Sequence, residues 1–291
     1  MTVLVETLIN GLTLGAFYAL ITLGLSLIFG VARLINFAHG DFFMVGGYVL
    51  FAFVVSHGLP YWLSILLTVA ALGGFGLMFE RIVVHDIIER TWSVHLVATL
   101  AASMILANGA LLLFSSDARQ VPTGLSTTFV SVFGSQTSVQ RLVVLGVVIV
   151  VYFGLRWFLA NTWTGRSMRA ISQNRETCAV VGIDVRRVVV VTFGISGALA
   201  GLASALLIPL FSVSPGMGSL ITLKALAAVV MGGMGQITGG FLAAFVIGLA
   251  ESFFAAYIPS GFAYRDVASF GLLIAVLMLR PHGLFGRKVG I

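Results

Sequence analysis

Nine apolar runs separated by short polar or glycine-rich connections make up most of this chain: residues 8–29, 42–55, 61–79, 96–114, 142–159, 188–209, 223–231, 241–257 and 267–279. A helix that spans a bilayer needs about 20 mostly apolar residues. Run 42–55 reaches that length only if it begins near Leu34. Run 223–231 reaches it only by continuing through the glycines that follow. The pattern therefore predicts eight or nine crossings. Residues are 59% hydrophobic and 9% charged, against about 25% charged in soluble domains. A water-soluble fold of this length could not hide that much apolar surface. The expected fold class is an all-α integral membrane protein of eight to nine transmembrane helices with broken or re-entrant segments. Residues 1–291 form one transmembrane domain with no soluble domain.

The net charge of +6 does not point to nucleic acid, because the basic residues sit between apolar runs and form no patch with exposed aromatics. They point to orientation. Arg33, Arg81, Arg90, Arg166, Arg169, Arg175, Arg186, Arg187, Arg280, Arg287 and Lys288 fall on one side, with Arg156 snorkelling toward it. Arg119, Arg141, Lys224 and Arg265 fall on the other, so the bias is twelve against four. This places the C-terminus and the connection 161–187 in the cytoplasm and the connection 115–141 outside; with nine crossings the N-terminus is outside too. Residues 1–10 hold Glu6 and no basic residue, unlike a cleaved signal peptide, so the first run reads as a retained helix. The single cysteine, Cys178, rules out an internal disulfide.

Backbone groups must be paired at membrane depth, so interruptions there face protein or water. Two are visible: the polar break 36–41, and 231–240, where Gly232, Gly233, Gly235, Gly239 and Gly240 make half the segment. Each reads either as an ordinary surface loop or as a broken helix lining a path. Gly197 and Gly201, and the series Gly240, Ala244 and Gly248, are stripes that let helices pack closely.

Several chemistries are absent. Lys224 and Lys288 are the only lysines, and neither follows a glycine-rich loop ahead of Ser or Thr, so there is no P-loop. No HExxH zinc site and no GxSxG serine occur. Ser196 could serve as a nucleophile only with a base, and the one histidine downstream is His282. The connection 161–187 carries five arginines with Glu176 and Asp184. A short helix there puts Ala179 and Val180 on an apolar face, with Gly182 as its stop. It reads as a docking element for a cytoplasmic partner, with Arg166, Arg169, Arg175, Glu176, Ala179, Gly182 and Asp184 as its candidate residues. Charges at membrane depth cost roughly 2.5–3.5 kcal/mol. His39 reads as a packing residue. Asp41 reads as the N-cap of the run it precedes, and Glu251, far inside a run, needs an interhelical partner or water.

The segment Ile35-Asn36-Phe37-Ala38-His39-Gly40-Asp41, followed by Gly46-Gly47-Tyr48, resembles the signature of permease subunits of branched-chain amino-acid ABC importers, LivH type, of the binding-protein-dependent permease family. Lys224-Ala225-Leu226, the stretch Val230-Met231-Gly232-Gly233-Met234-Gly235, and Gly248-Leu249-Ala250-Glu251 resemble its second half. Arg280-Pro281-His282-Gly283-Leu284-Phe285-Gly286 is similar to its ending. Glu176 and Gly182 match the ends of the EAA---G loop that meets the ATPase, although Thr177 and Cys178 replace its central alanines. Asp41 stands where relatives often carry glutamate.

The resemblance implies a bacterial cytoplasmic (inner) membrane protein that is not itself an enzyme and carries no cofactor or metal. It would pair with a second related permease, with two cytoplasmic ATPase subunits that bind ATP, and with a periplasmic or extracellular substrate-binding protein. Its cargo would be branched-chain amino acids or small polar molecules such as urea and short amides. Asn36, His39, Asp41, Gly232, Gly233, Gly235 and Glu251 are the candidate translocation path. A self-sufficient secondary transporter or channel is the alternative, and a membrane enzyme built on Ser196 a third reading.

Overall fold

The structure, a computed structural model, describes residues 2–286 apart from 133; Arg287 and Lys288 lie outside the described residues. In chain order the elements are α1 (Thr2–Ala32), α2 (His39–Phe51, prolonged by a π-helical turn Ala52–Ser56), α3 (Tyr61–Phe79, prolonged by a second, Glu80–Val84), α4 (Trp92–Phe114), α5 (Gly124–Thr127), β1 (Phe129–Val132), β2 (Ser135–Ser138), α6 (Val139–Asn161), α7 (Trp163–Gln173), α8 (Arg175–Val180), α9 (Val185–Leu207), α10 (Met217–Gly232), α11 (Ile237–Tyr257) and α12 (Arg265–Leu279). Strands β1 and β2 form an antiparallel hairpin in which Phe129 faces Ser138. Seven helices are long and apolar enough to cross a membrane, and α10 is shorter. All nine apolar runs are helical, as their sequence predicts.

Of the two readings open for 231–240, the structure shows the ordinary connection. Segment 231–240 is a turn at the end of the bundle: α10 stops at Gly232, and Gly233 and Gly235 take φ of +105° and +79°, a backbone that side chains disfavour. The tail closes this turn. The Leu284 amide donates to the Met231 carbonyl (2.8 Å) and Phe285 to Gly232 (3.2 Å), satisfying carbonyls that a helix end leaves unpaired. The true second break is the irregular stretch 208–216 between α9 and α10.

Placed this way, the two breaks reveal an inverted repeat. Helices α1 and α11 run antiparallel: Gly248 abuts Gly11 and Gly15 near one end, and Gly240 abuts Thr22 and Ser26 farther along. Helices α3 and α9 repeat the arrangement, with Gly76 against Phe193 and Gly197, and Thr68 against Gly201. A Cβ on Gly76, Gly197 or Gly248 would run into backbone of the opposing helix. Both glycine stripes are therefore packing surfaces. Each long helix is followed by a short one that starts inside the bundle. Helix α2 leaves the centre alongside α9, where Gly46 meets Ser204. Helix α10 leaves the opposite way, to the turn where Gly232 meets Gly239. Their first turns touch, Gly40 against Gly218. The α1–α2–α3 unit and the α9–α10–α11 unit are thus related by inversion.

Helix α1 is the axis of the molecule: 83% of its most apolar window is buried, against 22% for α4. Outward faces carry large apolar side chains such as Leu66, Ile105, Leu112, Val150 and Phe153, a costly surface in water and the expected one against lipid.

Candidate functional site

Three places in this scaffold collect polar residues. The first is the meeting point of the two broken helices. Asn36 Oδ1 accepts from the Ala38 amide (3.1 Å) and opens α2. The Gly40 amide donates to Thr222 Oγ1 (2.8 Å), which itself donates to the Gly218 carbonyl (2.9 Å). Helices α2 and α10 are therefore stitched at their starts. Asp41 is not the N-cap. Position Ala38 is, and no side-chain capping bond forms; the carboxylate sits in the first turn, against Gly218 at the start of α10. It thus lies at the positive ends of two helix dipoles. Neither carboxylate oxygen has a hydrogen-bond partner, and the Ser103 hydroxyl lies close by without meeting bonding geometry.

His39 is fully buried; the Ile21 carbonyl lies beside its ring, but neither ring nitrogen meets bonding geometry. A Cβ on Gly24 would lie 2.7 Å from its Nε2 and 2.8 Å from Ser196 Oγ. Chain order had offered Ser196 only His282; the fold gives it His39 as a neighbour, with no hydrogen bond between them. Buried hydroxyls of Thr22, Ser26 and Ser196 lack partners as well. Unpaired polar atoms at membrane depth are expensive, so those of Asn36, His39, Asp41 and Ser196 beside this break mark a polar seam in the subunit interior.

Of the second place, only Glu251 and its need for a partner were legible in the sequence. Lys224 is not in an outer connection: it is buried in α10. Its Nζ reaches Glu251 Oε1 (2.8 Å), Asp266 Oδ1 (2.7 Å) and Tyr18 Oη (3.1 Å). Tyr18 donates to Glu251 Oε2 (2.8 Å), and Ser269 donates to Glu251 Oε1. One cluster therefore joins α1, α10, α11 and α12. Glu251 has the interhelical partner that its depth requires. Beside it opens a cleft of about 340 Å³, lined by residues that include Asn10, Arg141, Phe211, Glu251 and Ser252. Tyr18, Lys224, Asp266 and Ser269 escape a linear reading because their partners are 18 to 233 positions away.

The third place is the connection 161–187, at the end of the bundle where the tail docks. It folds into α7 and α8 in series, each opened by a side-chain cap. Thr162 accepts from Gly165 (3.0 Å) and Asn174 from Thr177 (3.0 Å), and Asp184 accepts from Arg187 (3.0 Å) to start α9. Gly182 follows α8 with φ +84°, the stop that was expected. Met168, Ile171 and Cys178 point inward, whereas Ala179 and Val180, the residues expected on the apolar face of the docking helix, and Val181 face out. Arg166, Arg169, Glu176 and Asp184 are exposed and Arg175 is half-buried. Arg33 at the end of α1 donates to the Ser172 and Gln173 carbonyls (3.4 Å each), tying this elbow to the central helix.

The fold therefore brings Asn36, His39 and Asp41 together. It places Glu251 in the separate Lys224 cluster, and Gly232, Gly233 and Gly235 in the turn at the elbow end.

The model of the family described as branched-chain amino acid transport system / permease component matches residues 7–277. The chain is 34% identical to the high-affinity branched-chain amino acid transport system permease protein BraD of Pseudomonas aeruginosa, over 97% of this chain and 95% of that protein. Identity is 30% to LivH of Escherichia coli, with the same coverage. The ribose import permease RbsC of Haemophilus influenzae is 27% identical over 98% of this chain and 88% of its own length. No solved structure matches the chain. By sequence over nearly its whole length, and with an architecture of apolar helices around a broken-helix core, the chain belongs to the family of permease components of branched-chain amino acid transport systems.

Proposed function

We propose that this chain is the membrane-spanning permease subunit of an ATP-driven importer of branched-chain amino acids, working with a second related permease, two cytoplasmic ATPase subunits and a substrate-binding protein on the outer face. The observation that carries the proposal is the α7–α8 elbow. It projects from the bundle with Val180 86% and Val181 69% exposed among exposed arginines, in a chain that has no nucleotide-binding motif of its own. An apolar ridge ringed by charge is the surface expected for a protein partner. A groove of about 400 Å³ beside it, lined by Trp163, Gly182, Asp184 and Arg187, provides a seat.

The elbow joins α9 through the short turn 181–184, and α9 packs along α2 and α3. A push on the elbow thus acts on the helices that frame Asp41 and His39. ATP binding by the partners would shift the subunit between outward- and inward-open states. The basic bias supports a cytoplasmic elbow and C-terminus in a bacterial inner membrane. With Lys224 moved into a helix, the count becomes twelve against three.

Charge reversal of Arg169 and Glu176 together is expected to abolish ATPase co-purification and uptake while leaving the permease folded. Intact assembly and uptake would refute the docking role. The inverted repeat favours a second reading, a self-sufficient carrier, because secondary transporters use paired broken helices. Substrate uptake into liposomes by the purified chain alone, without ATP, would establish it. A relative of this chain is named a ribose import permease, so urea, short amides and sugars belong in the same uptake panel.

A further inference from the structure

The closing motif Arg280-Pro281-His282-Gly283-Leu284-Phe285-Gly286 has no role in the docking surface, yet it is fitted closely to the end of α10. Besides the amides of Leu284 and Phe285 on the Met231 and Gly232 carbonyls, the Gly283 amide donates to the Arg280 carbonyl (2.9 Å). Arg280 in turn donates from its guanidinium to the Leu284 carbonyl (3.3 Å). The motif is thus closed into a turn of its own. Gly283 has φ +79°, and a Cβ there would lie 2.7 Å from both the Gly233 nitrogen and the Val230 carbonyl oxygen. A Cβ on Gly233 would lie 2.7 Å from the Gly286 nitrogen. Backbone therefore seats on backbone along the last turn of α10, where any side chain would force the two apart.

The other end of α12 grips α10 as well. Asp266, in the first turn of α12, takes Lys224 Nζ at 2.7 Å, halfway along α10. Helix α12 and the segment after it hold α10 at two levels, one by charge and one by main chain. Among the described residues, no main-chain bond from a distant segment holds the far end of α2. Gly235 and Ile237, just beyond α10, line a small cavity with Arg169 and Ser172 of the elbow.

We infer that residues 280–286 are a strap that positions α10 for transport, holding its tip against α2 where Gly218 meets Gly40. The strap acts from about 24 Å away, the length of a 16-residue helix. A helix gripped at its end and its middle moves as one rigid body, so freeing the strap shifts the tip. The assignment rests on the permease reading and gives it a positioning element besides the elbow. The motif acts through α10 and not on cargo.

The test uses the full-length chain in nanodiscs, with Cys178→Ser and Ser219→Cys, so that one thiol reports on the exposed first turn of α10. Two strap variants, Gly283→Val and truncation after Pro281, are compared with Gly271→Val, where nothing lies within 4 Å. Loss of the strap's hydrogen bonds and packing is expected to speed N-ethylmaleimide labelling at position 219 about threefold or more. Gly271→Val is expected to leave it unchanged. In the assembled transporter, the strap variants are expected to hydrolyse ATP but import tritiated leucine about tenfold more slowly. Unchanged labelling in both strap variants would overturn the strap, as would leucine import at the wild-type rate by both. Amide hydrogen exchange on the unaltered chain decides even where a variant misfolds. The Leu284 and Phe285 amides are expected to exchange as slowly as the last turn of α10; exchange at the rate of an unstructured chain overturns the proposal. Failure of the wild type to import leucine, with the labelling response present, removes the permease reading and leaves the strap on α10.

Discussion

The two halves of the repeat use the same backbone device and treat charge in opposite ways. In the first half, the short helix α2 begins with His39 and Asp41, both fully buried and neither hydrogen-bonded through its side chain. In the second half, the short helix α10 carries Lys224, equally buried but held by Glu251, Asp266 and Tyr18. A buried charge that is paired is a structural tie; one left unpaired is a cost kept for another purpose. The inversion thus separates roles, with α10 anchored by its ion pairs and α2 presenting polar groups to the interior. Both short helices meet where only glycine fits.

That meeting point gives the largest expected effect. Gly218→Val should abolish folding and uptake, because a Cβ at Gly218 runs into the backbone and carboxylate of Asp41. Gly74→Val, where nothing lies within 4 Å, should leave both within measurement error. Fluorescence size exclusion and uptake on the same preparations decide; a well-folded, active Gly218→Val would show that the halves do not pack through this contact.

Next comes Lys224→Met, which strands Glu251 without its cation. About 3–5 kcal/mol of stability should be lost, read as a drop in apparent Tm, and the double change Lys224→Met with Glu251→Gln should recover part of it. If the single change costs nothing, α10 is not anchored by charge and the contrast between the halves fails.

The smallest effect on stability is expected for Asp41→Asn. The favourable interaction removed is with two helix N-termini, about 1–2 kcal/mol, and release from burying an unpaired carboxylate opposes it. Apparent Tm should move little while uptake falls. A loss as large as that of Lys224→Met would mean that Asp41 is a structural tie like its counterpart.

Much of this was legible in the linear chain. Runs of apolar residues mark every long helix, because a bilayer imposes one length and one composition on whatever crosses it. Gly182 and the caps of the elbow were readable because helix ends are local, settled within a few residues of backbone. The stripes at Gly197 and Gly248 announced close packing but not their partners. Whether 231–240 was a loop or the second broken helix was left open by the sequence. Glycines at 232–240 mark a sharp turn, whereas the real interruption at 208–216 is carried by an isolated bridge pairing Val213 with Arg119, which no local pattern encodes. Asp41 was assigned to a cap because it precedes a run; the helix in fact begins two residues earlier, and the carboxylate faces another helix.

The sequence by itself determined that the chain lives in lipid, where its helices lie, which end is basic and where the elbow bends, since each depends on residues near one another along the chain. Only the tertiary structure decided that two breaks meet at Gly40 and Gly218, that Lys224 pairs with Glu251 rather than facing solvent, and that the tail closes on the end of α10. Those facts rest on contacts between residues tens to hundreds of positions apart. In a membrane interior, where burial by itself favours no one arrangement of apolar helices, such contacts are set by which backbones can approach and which charges can find a partner.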